Sequence, residues 1–163
     1  MKQIIILLLI INPLLTYSQG ATKTEIDWIT LEKAEKFAKK YDKNILLFFY
    51  KPECEFCEKM KKETLSDPKI INLINTKFYP VKINGYTKDT IEFNGVIYGN
   101  QQAASTGRHD WRHDFYFKFG RYKDGIITPT ISIINSNHTK TRQFTGFQSK
   151  PQLLRGINQI INQ

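Results

Sequence analysis

Two cysteines that are separated by two residues follow a short apolar segment, and this arrangement limits the possible folds most strongly. The apolar segment, Ile45–Tyr50, has the length and the β-forming residues of a buried strand. Good helix formers follow the pair at Met60, Lys61, Lys62, Glu63 and Leu65. A helix that begins at the pair would place the Cys54 sulfur at its N-terminus, where unpaired N–H groups and the helix dipole favour a thiolate. Cys57, one turn later, would lie close enough to close a disulfide or to resolve a mixed one.

These two cysteines are the only ones in the chain, and three interpretations of them are open. A passive disulfide between Cys54 and Cys57 would close a very small loop and would therefore remove little chain entropy. A zinc site would need two further ligands to complete a tetrahedron. Redox chemistry is the interpretation that the spacing favours.

The histidines His109 and His113 are four residues apart, which is the spacing of a two-histidine metal clamp on one helix face. No glutamate or third ligand accompanies them, so we expect surface or hydrogen-bonded histidines and no metal. A further possibility is that one of them approaches the cysteine pair and serves as a base.

Length and composition predict one ordinary globular domain. The chain has 163 residues, of which 40% are hydrophobic and 24% are charged. The formal net charge of +9 is dispersed, without a run of five basic residues. We therefore expect a solvated basic surface and no nucleic-acid partner; an acidic partner or a membrane surface is the alternative.

Residues 1–18 have the features of a signal peptide. Lys2 precedes a mostly apolar stretch, and Thr16-Tyr17-Ser18 offers small residues at a cleavage site before Gln19. The apolar stretch is shorter than the roughly 20 residues of a membrane-spanning helix. The sequence thus predicts an exported domain, 19–163, that is periplasmic or secreted and keeps no stable membrane anchor.

Helices and strands follow from caps and apolar periodicity. Thr30 is the expected N-cap of a helix over 31–41 with Tyr41 on its apolar face, and Asp67 and Pro68 are expected to start a helix that continues over 69–75. Further strands are predicted at 78–83, 130–134 and 141–145, and Ser149 is expected to cap a helix over 151–161.

An inserted segment is predicted at 84–118. Two short strands at 90–93 and 96–98 flank Asn94-Gly95, a strong hairpin signal. After them, helical spacing relates four aromatic residues that we expect to pack in the core, and Gly120 is the expected helix end. These four are Trp111, Phe115, Phe119 and Tyr122.

Together with the cysteine pair, the strand before it and the helix after it, the dipeptide Thr128-Pro129 ahead of a later strand resembles the thioredoxin superfamily. The similarity extends from about Trp28 to the C-terminus and is greatest to secreted bacterial domains related to thiol:disulfide interchange proteins. It implies a three-layer α/β sandwich with a mixed central sheet of about four strands, to which the insertion adds a hairpin and a helix. It also implies that Pro129 is cis.

The resemblance also implies a thiol–disulfide oxidoreductase. Cys54 would attack, Cys57 would resolve, and the backbone of Thr128 beside Pro129 would pair with a substrate chain. The implied partners are protein thiols or disulfides and an electron-donor protein, the domain would be a monomer, and neither a metal nor an organic cofactor is required. The rival interpretations are a thiol-based metal or haem-maturation chaperone and a thioredoxin-like binding module without catalysis.

Two further expectations concern the surroundings of the pair. By resemblance, Lys82 is at the position of a lysine beneath the active site, whereas Phe48 stands where the family often has a buried aspartate. Proton transfer from Cys57 would then need water or another group. Three glutamates near the pair destabilise a thiolate, whereas Lys51, Lys59, Lys61 and Lys62 oppose this effect, although long lysines usually point to water and are screened. The glutamates therefore predict a reductase-like or isomerase-like potential. They are Glu53, Glu55 and Glu58.

Overall fold

The structure is a computed structural model that describes residues 23–101, 113–123 and 125–162. The predicted signal peptide, His109 and Trp111 lie outside the described residues. The helices are α1 (Leu31–Tyr41), α2 (Glu55–Glu63), α3 (Pro68–Lys77), α4 (Asp114–Gly120) and α5 (Lys150–Ile161). The strands are β1 (Ile45–Tyr50), β2 (Tyr79–Asn84), β3 (Ile91–Phe93), β4 (Val96–Tyr98), β5 (Thr130–Ile134) and β6 (Lys140–Thr145).

Four strands form one mixed sheet, as expected, and their order in the sheet is β2-β1-β5-β6. Strand β1 runs parallel to β2 and antiparallel to β5, and β5 runs antiparallel to β6. Phe49 pairs with Thr130, so the C-terminal end of β1 lies beside the N-terminal end of β5. This topology brings the loop after β1 and the loop before β5 to the same end of the sheet.

The sheet is buried on both faces because β1 is apolar at every position. Leu46 and Phe48 belong to one core cluster with residues of α2, α3 and α5. Ile45, Leu47 and Phe49 belong to a second cluster with residues of α1, the β3–β4 hairpin and α4. Helices on both sides of a sheet make three layers, which confirms the predicted sandwich.

Helices α1 and α3 have the N-cap residues that the sequence predicts. Thr30 Oγ1 accepts from the Lys33 N–H at 3.3 Å, and Asp67 Oδ1 accepts from the Lys69 N–H at 2.9 Å. The expectation that Tyr41 lies on the buried face is wrong, since 56% of this residue is exposed. Tyr41 is the last residue of α1, and Asp42 then turns the chain with a left-handed φ of 48°.

The 84–118 segment contains the predicted hairpin. Strands β3 and β4 pair antiparallel around Asn94 and Gly95, whose φ angles are 53° and 69°. Both angles are left-handed, the geometry that an Asn-Gly turn provides. The predicted boundary at residue 118 falls inside α4, which ends at Gly120 as expected.

Helix α4 confirms part of the predicted aromatic stripe. Phe115 and Phe119 are buried in the core, whereas 47% of Tyr122 is exposed, so its prediction is wrong. The reason is local, because α4 ends at Gly120 and Arg121 adopts an extended conformation. Tyr122 therefore leaves the helical phase that would have directed it inward.

Candidate active site

Cys54 is the N-cap of α2, as the strand–turn–helix pattern predicts. The backbone N–H of Cys57 donates to Cys54 Sγ at 3.2 Å, so the sulfur itself occupies the capping position. A helix N-terminus presents unpaired N–H groups and the positive end of the dipole. These groups stabilise negative charge on Cys54 when the pair is reduced.

Cys54 and Cys57 form a disulfide with a Cα–Cα distance of 5.1 Å. Cys54 is 4% exposed and Cys57 is fully buried, so Cys54 is the outer sulfur. An approaching thiolate would meet Cys54 first. The difference is small because both sulfurs are buried while the bond is closed.

The Thr128-Pro129 peptide bond is cis, as expected, and it faces the cysteine pair. Thr128 Oγ1 lies 3.7 Å from Cys54 Sγ. Because a disulfide sulfur carries no proton, the Thr128 hydroxyl is the donor in this contact. Two loops that are 74 residues apart in sequence thus meet at one sulfur.

Phe48 is fully buried in β1, so the site has an aromatic ring where the resemblance leads one to look for a carboxylate. Its ring packs against Trp28 at 5.9 Å and stacks with Tyr50 at 6.2 Å. On the neighbouring strand, Lys82 pairs in register with Phe48 and extends its ammonium group to 5.4 Å from the Trp28 ring. Lys82 is exposed and is therefore solvated.

A cleft of about 290 Å³ opens on this side of the sheet. Phe48 and Lys82 line it together with Lys61 and Glu25, which precedes the first strand by 20 residues. Sequence reasoning did not assign Glu25 to the site, because no local pattern links an N-terminal segment to β1. Glu25, Lys61 and Lys82 are the ionisable residues that line this cleft together with Phe48.

Near the cysteine pair, the positive charges of the lysines offset the negative charges of the glutamates less than the number of lysines would suggest. Lys61 Nζ lies 2.6 Å from Glu58 Oε1, so these two charges compensate each other. Lys59 is directed over the Phe147 ring at 4.9 Å. Glu53 and Glu55, which flank Cys54, are both exposed.

Two exposed apolar residues are neighbours in sequence of the residues that meet at the disulfide. Phe56, between the cysteines, is 56% exposed, and Ile127, before Thr128, is 43% exposed. Sequence reasoning missed both as site residues. The available signal was their position, because an apolar residue beside a reactive pair lies where a substrate chain would contact the protein.

His113 caps α4 and lies at its start, so it is not on a helix face. Its Nδ1 accepts from the Phe115 N–H at 3.2 Å, and its Nε2 lies 2.9 Å from the Asp89 carbonyl oxygen. Both ring nitrogens are engaged, so His113 serves neither as the suggested metal ligand nor as a base for the cysteines. Within the described ranges, no group of three or more histidine, cysteine or acidic side chains is placed to hold a metal ion.

Comparison with known proteins places this geometry in a family. The family model of the thioredoxin-like domain matches residues 31–161. The chain belongs to that family. The match includes the cysteine pair and the Thr128-Pro129 segment, and it ends with α5. A search of curated proteins gives no match to this thioredoxin-like domain.

Solved structures share the fold at low sequence identity. A thioredoxin from Thermus thermophilus is 16% identical with a TM-score of 0.58, and covers 85% of this chain and 88% of its own. The oxidoreductase DsbH is 13% identical with a TM-score of 0.57, over 90% and 93% of the two chains. A disulphide isomerase from Xylella fastidiosa is 21% identical with a TM-score of 0.55, over 80% and 87%.

These likenesses establish the fold of the thioredoxin-like domain. With that fold, a C-x-x-C pair at disulfide distance supports the chemistry of a thiol–disulfide oxidoreductase. Among residues 23–101, 113–123 and 125–162, no helix has the length and apolarity to cross a membrane.

Proposed function

We propose that this protein is an exported thiol–disulfide oxidoreductase that exchanges electrons between protein thiols and has a reductase-like potential. The observation that carries the proposal is the placement of Cys54. Its sulfur caps α2, is the outer member of the pair, and contacts Thr128 beside the cis proline. A nucleophile needs this combination of thiolate stabilisation and access.

The reaction proceeds through two thiol–disulfide exchanges. The Cys54 thiolate attacks one sulfur of a substrate disulfide, a mixed disulfide forms, and one substrate thiolate leaves. The Cys57 thiolate then attacks Cys54 Sγ, closes the Cys54–Cys57 disulfide and releases the second substrate thiolate. The substrate gains two electrons and this protein loses two. An electron-donor protein with a dithiol restores the reduced pair by the reverse steps.

Substrate chains would contact the surface around Thr128 and Pro129. The backbone of Thr128 is suited to pair with an extended chain, in the manner of an added β-strand. The exposed side chains of Phe56 and Ile127, which neighbour the cysteines and Thr128 in sequence, would supply apolar contacts to such a chain. We propose protein substrates for this reason. We also propose a monomeric enzyme, because a substrate peptide needs open access to the surface around Thr128 and Pro129.

The reductase-like direction rests on the charges at the pair. Glu53 and Glu55 are exposed beside Cys54, whereas Lys61 is paired with Glu58 and Lys59 is directed to an aromatic ring. Negative charge disfavours the thiolate, hence the reduced form, and makes the disulfide less oxidising. We expect a potential nearer to about −270 mV than to about −120 mV.

Export rests on the sequence alone, because residues 1–18 carry a short positive start, an apolar stretch and a small-residue cleavage site. N-terminal sequencing of the protein from a secreting bacterial host should begin at Gln19. An intact N-terminus in the cytoplasmic fraction would contradict export.

Trapping with paired cysteine variants tests the activity. Cys57→Ser should accumulate mixed disulfides with protein substrates, since the resolving thiol is absent, and Cys54→Ser should accumulate none. Both variants should fail to reduce insulin, which the reduced native protein should reduce in the presence of dithiothreitol. Equal trapping by the two variants would refute the assigned order of attack. Tight, stoichiometric metal retention without insulin reduction would indicate the chaperone alternative.

A further inference from the structure

The carbonyl of Ile127 is held by two buried hydroxyl groups. Tyr116 donates its O–H to Ile127 O at 2.8 Å, and Thr130 Oγ1 donates to the same oxygen at 2.6 Å. A carbonyl oxygen has two lone pairs, so this acceptor is saturated. Thr130 is the first residue of β5, whereas Tyr116 belongs to α4, at the end of the segment that the sequence sets apart from the sheet.

This carbonyl lies in the peptide unit that leads directly to the active site. The C=O of Ile127 and the N–H of Thr128 share one planar group, so fixing the oxygen fixes the plane from which Thr128 projects. Thr128 in turn places its hydroxyl 3.7 Å from Cys54 Sγ. A continuous series of contacts therefore connects Tyr116 with the reactive sulfur.

Tyr116 is itself rigidly placed. Its ring is fully buried and stacks on Phe49 with centroids 4.5 Å apart. The ring also covers Gly120, where an added Cβ would overlap it. Burial raises the pKa of Tyr116 above its usual range, so the hydroxyl remains a donor at every physiological pH.

Helix α4 is fixed to the sheet by its last carbonyl groups. Ser132 Oγ donates to Phe119 O at 2.6 Å, and Gln143 Nε2 donates to Gly120 O at 3.1 Å. These bonds satisfy carbonyls that a helix end leaves unpaired. They also hold α4 independently of Tyr116, so removal of the Tyr116 hydroxyl should leave the helix in place.

We propose that Tyr116 is a positioning residue that sets the Thr128 hydroxyl opposite Cys54 through its hydrogen bond to the Ile127 carbonyl. The proposal deepens the proposed function, on which it rests, because it assigns to α4 a part in tuning the cysteine pair. It does not make Tyr116 a catalytic residue, since its hydroxyl contacts Ile127 and Thr130 and acts on the sulfur only through Thr128.

The test is a double-mutant cycle on the equilibrium between the cysteine pair and glutathione. The variants are Tyr116→Phe, Thr128→Val and the two combined. Tyr116→Phe should lower the equilibrium constant for reduction of the pair about twofold, because Thr130 still holds the carbonyl, and Thr128→Val should lower it about fivefold. If Tyr116 acts through Thr128, the double variant should equal Thr128→Val.

A matched control separates positioning from loss of stability. Ser132→Ala removes another buried hydroxyl that bonds to a carbonyl, here that of Phe119, and does not touch Ile127. It should lower the urea midpoint to an extent similar to Tyr116→Phe, yet leave the glutathione equilibrium unchanged, because Gln143 still holds the end of α4. Additive effects of Tyr116→Phe and Thr128→Val, or no effect of Tyr116→Phe, would overturn the proposal.

The cycle remains informative even if the protein proves not to be an oxidoreductase. Any adjacent cysteine pair equilibrates with a thiol buffer, so the equilibrium constants are measurable without enzymatic turnover. Failure to reduce insulin would count against the proposed function alone. An unchanged glutathione equilibrium in Tyr116→Phe would count against the positioning role alone.

Discussion

Replacing Thr128 by valine should make the Cys54–Cys57 pair more reducing. Valine keeps the shape of threonine and removes only the hydroxyl that donates to Cys54 Sγ. That contact is worth more in the reduced protein, where the acceptor is a thiolate, than in the disulfide, because hydrogen bonds to charged groups are the stronger ones. Loss of the hydroxyl therefore destabilises the reduced form relative to the oxidised form.

The geometry sets the size of the effect. A well-formed hydrogen bond to a charged group contributes about 1.5–3 kcal/mol. The O–S distance of 3.7 Å is long, so we take roughly 1 kcal/mol for Thr128, which corresponds to about fivefold in the equilibrium constant. For a two-electron couple about 1.4 kcal/mol equals 30 mV, so the potential should fall by roughly 20 mV.

Equilibration with glutathione buffers, read by mass spectrometry after alkylation, measures this shift. Thr141→Val is the control, because Thr141 Oγ1 donates to Ile133 O at 3.4 Å and belongs to β6. The control should leave the potential unchanged. A potential for Thr128→Val that equals or exceeds that of the native protein would refute the role of the hydroxyl.

Two further predictions concern stability. A Cβ at Gly156 would overlap the Phe144 ring, so Gly156→Ala should lower the free energy of unfolding by about 1–3 kcal/mol despite alanine's better helix propensity. Gly99→Ala, with open space around its Cβ, should have little effect in the same urea titration; stabilisation by Gly156→Ala would contradict the packing. Hydrogen bonding to Lys150 lowers the pKa of Asp67, so its contribution is present above about pH 4 and is lost as pH falls through the lowered value. Asp67→Asn keeps the N-cap but should flatten the acid limb of stability against pH, and parallel acid limbs would contradict this.

The sequence by itself determined the elements whose signals are local. The uninterrupted apolar run of β1 predicted burial on both faces, because only a central strand can bury every side chain. Thr30 and Asp67 predicted two helix starts, and Asn94-Gly95 predicted the hairpin turn. The caps and the turn depend on contacts within four residues, and the prediction for β1 depends on its own composition, so the residue types suffice.

The active-site assignment also came from the sequence, although by a different argument. The strand–turn–helix pattern around the cysteine pair predicted that Cys54 lies at the start of α2. The cis bond before Pro129 followed only from resemblance to a family, because composition does not decide between cis and trans. The roles of these residues in catalysis remain predictions that the trapping experiment tests.

Only the tertiary structure decided what distant segments do to one another. Tyr122 fits the helical period of its neighbours, but the end of α4 at Gly120 leaves it exposed. Glu25 reaches the cleft beside Phe48 from a segment with no pattern of its own. The hydrogen bond from Tyr116 to Ile127 joins a helix to a loop whose relative position depends on how α4 packs on the sheet. Periodicity specifies which face of an element is buried, whereas the partner on that face is set by the packing of the whole chain.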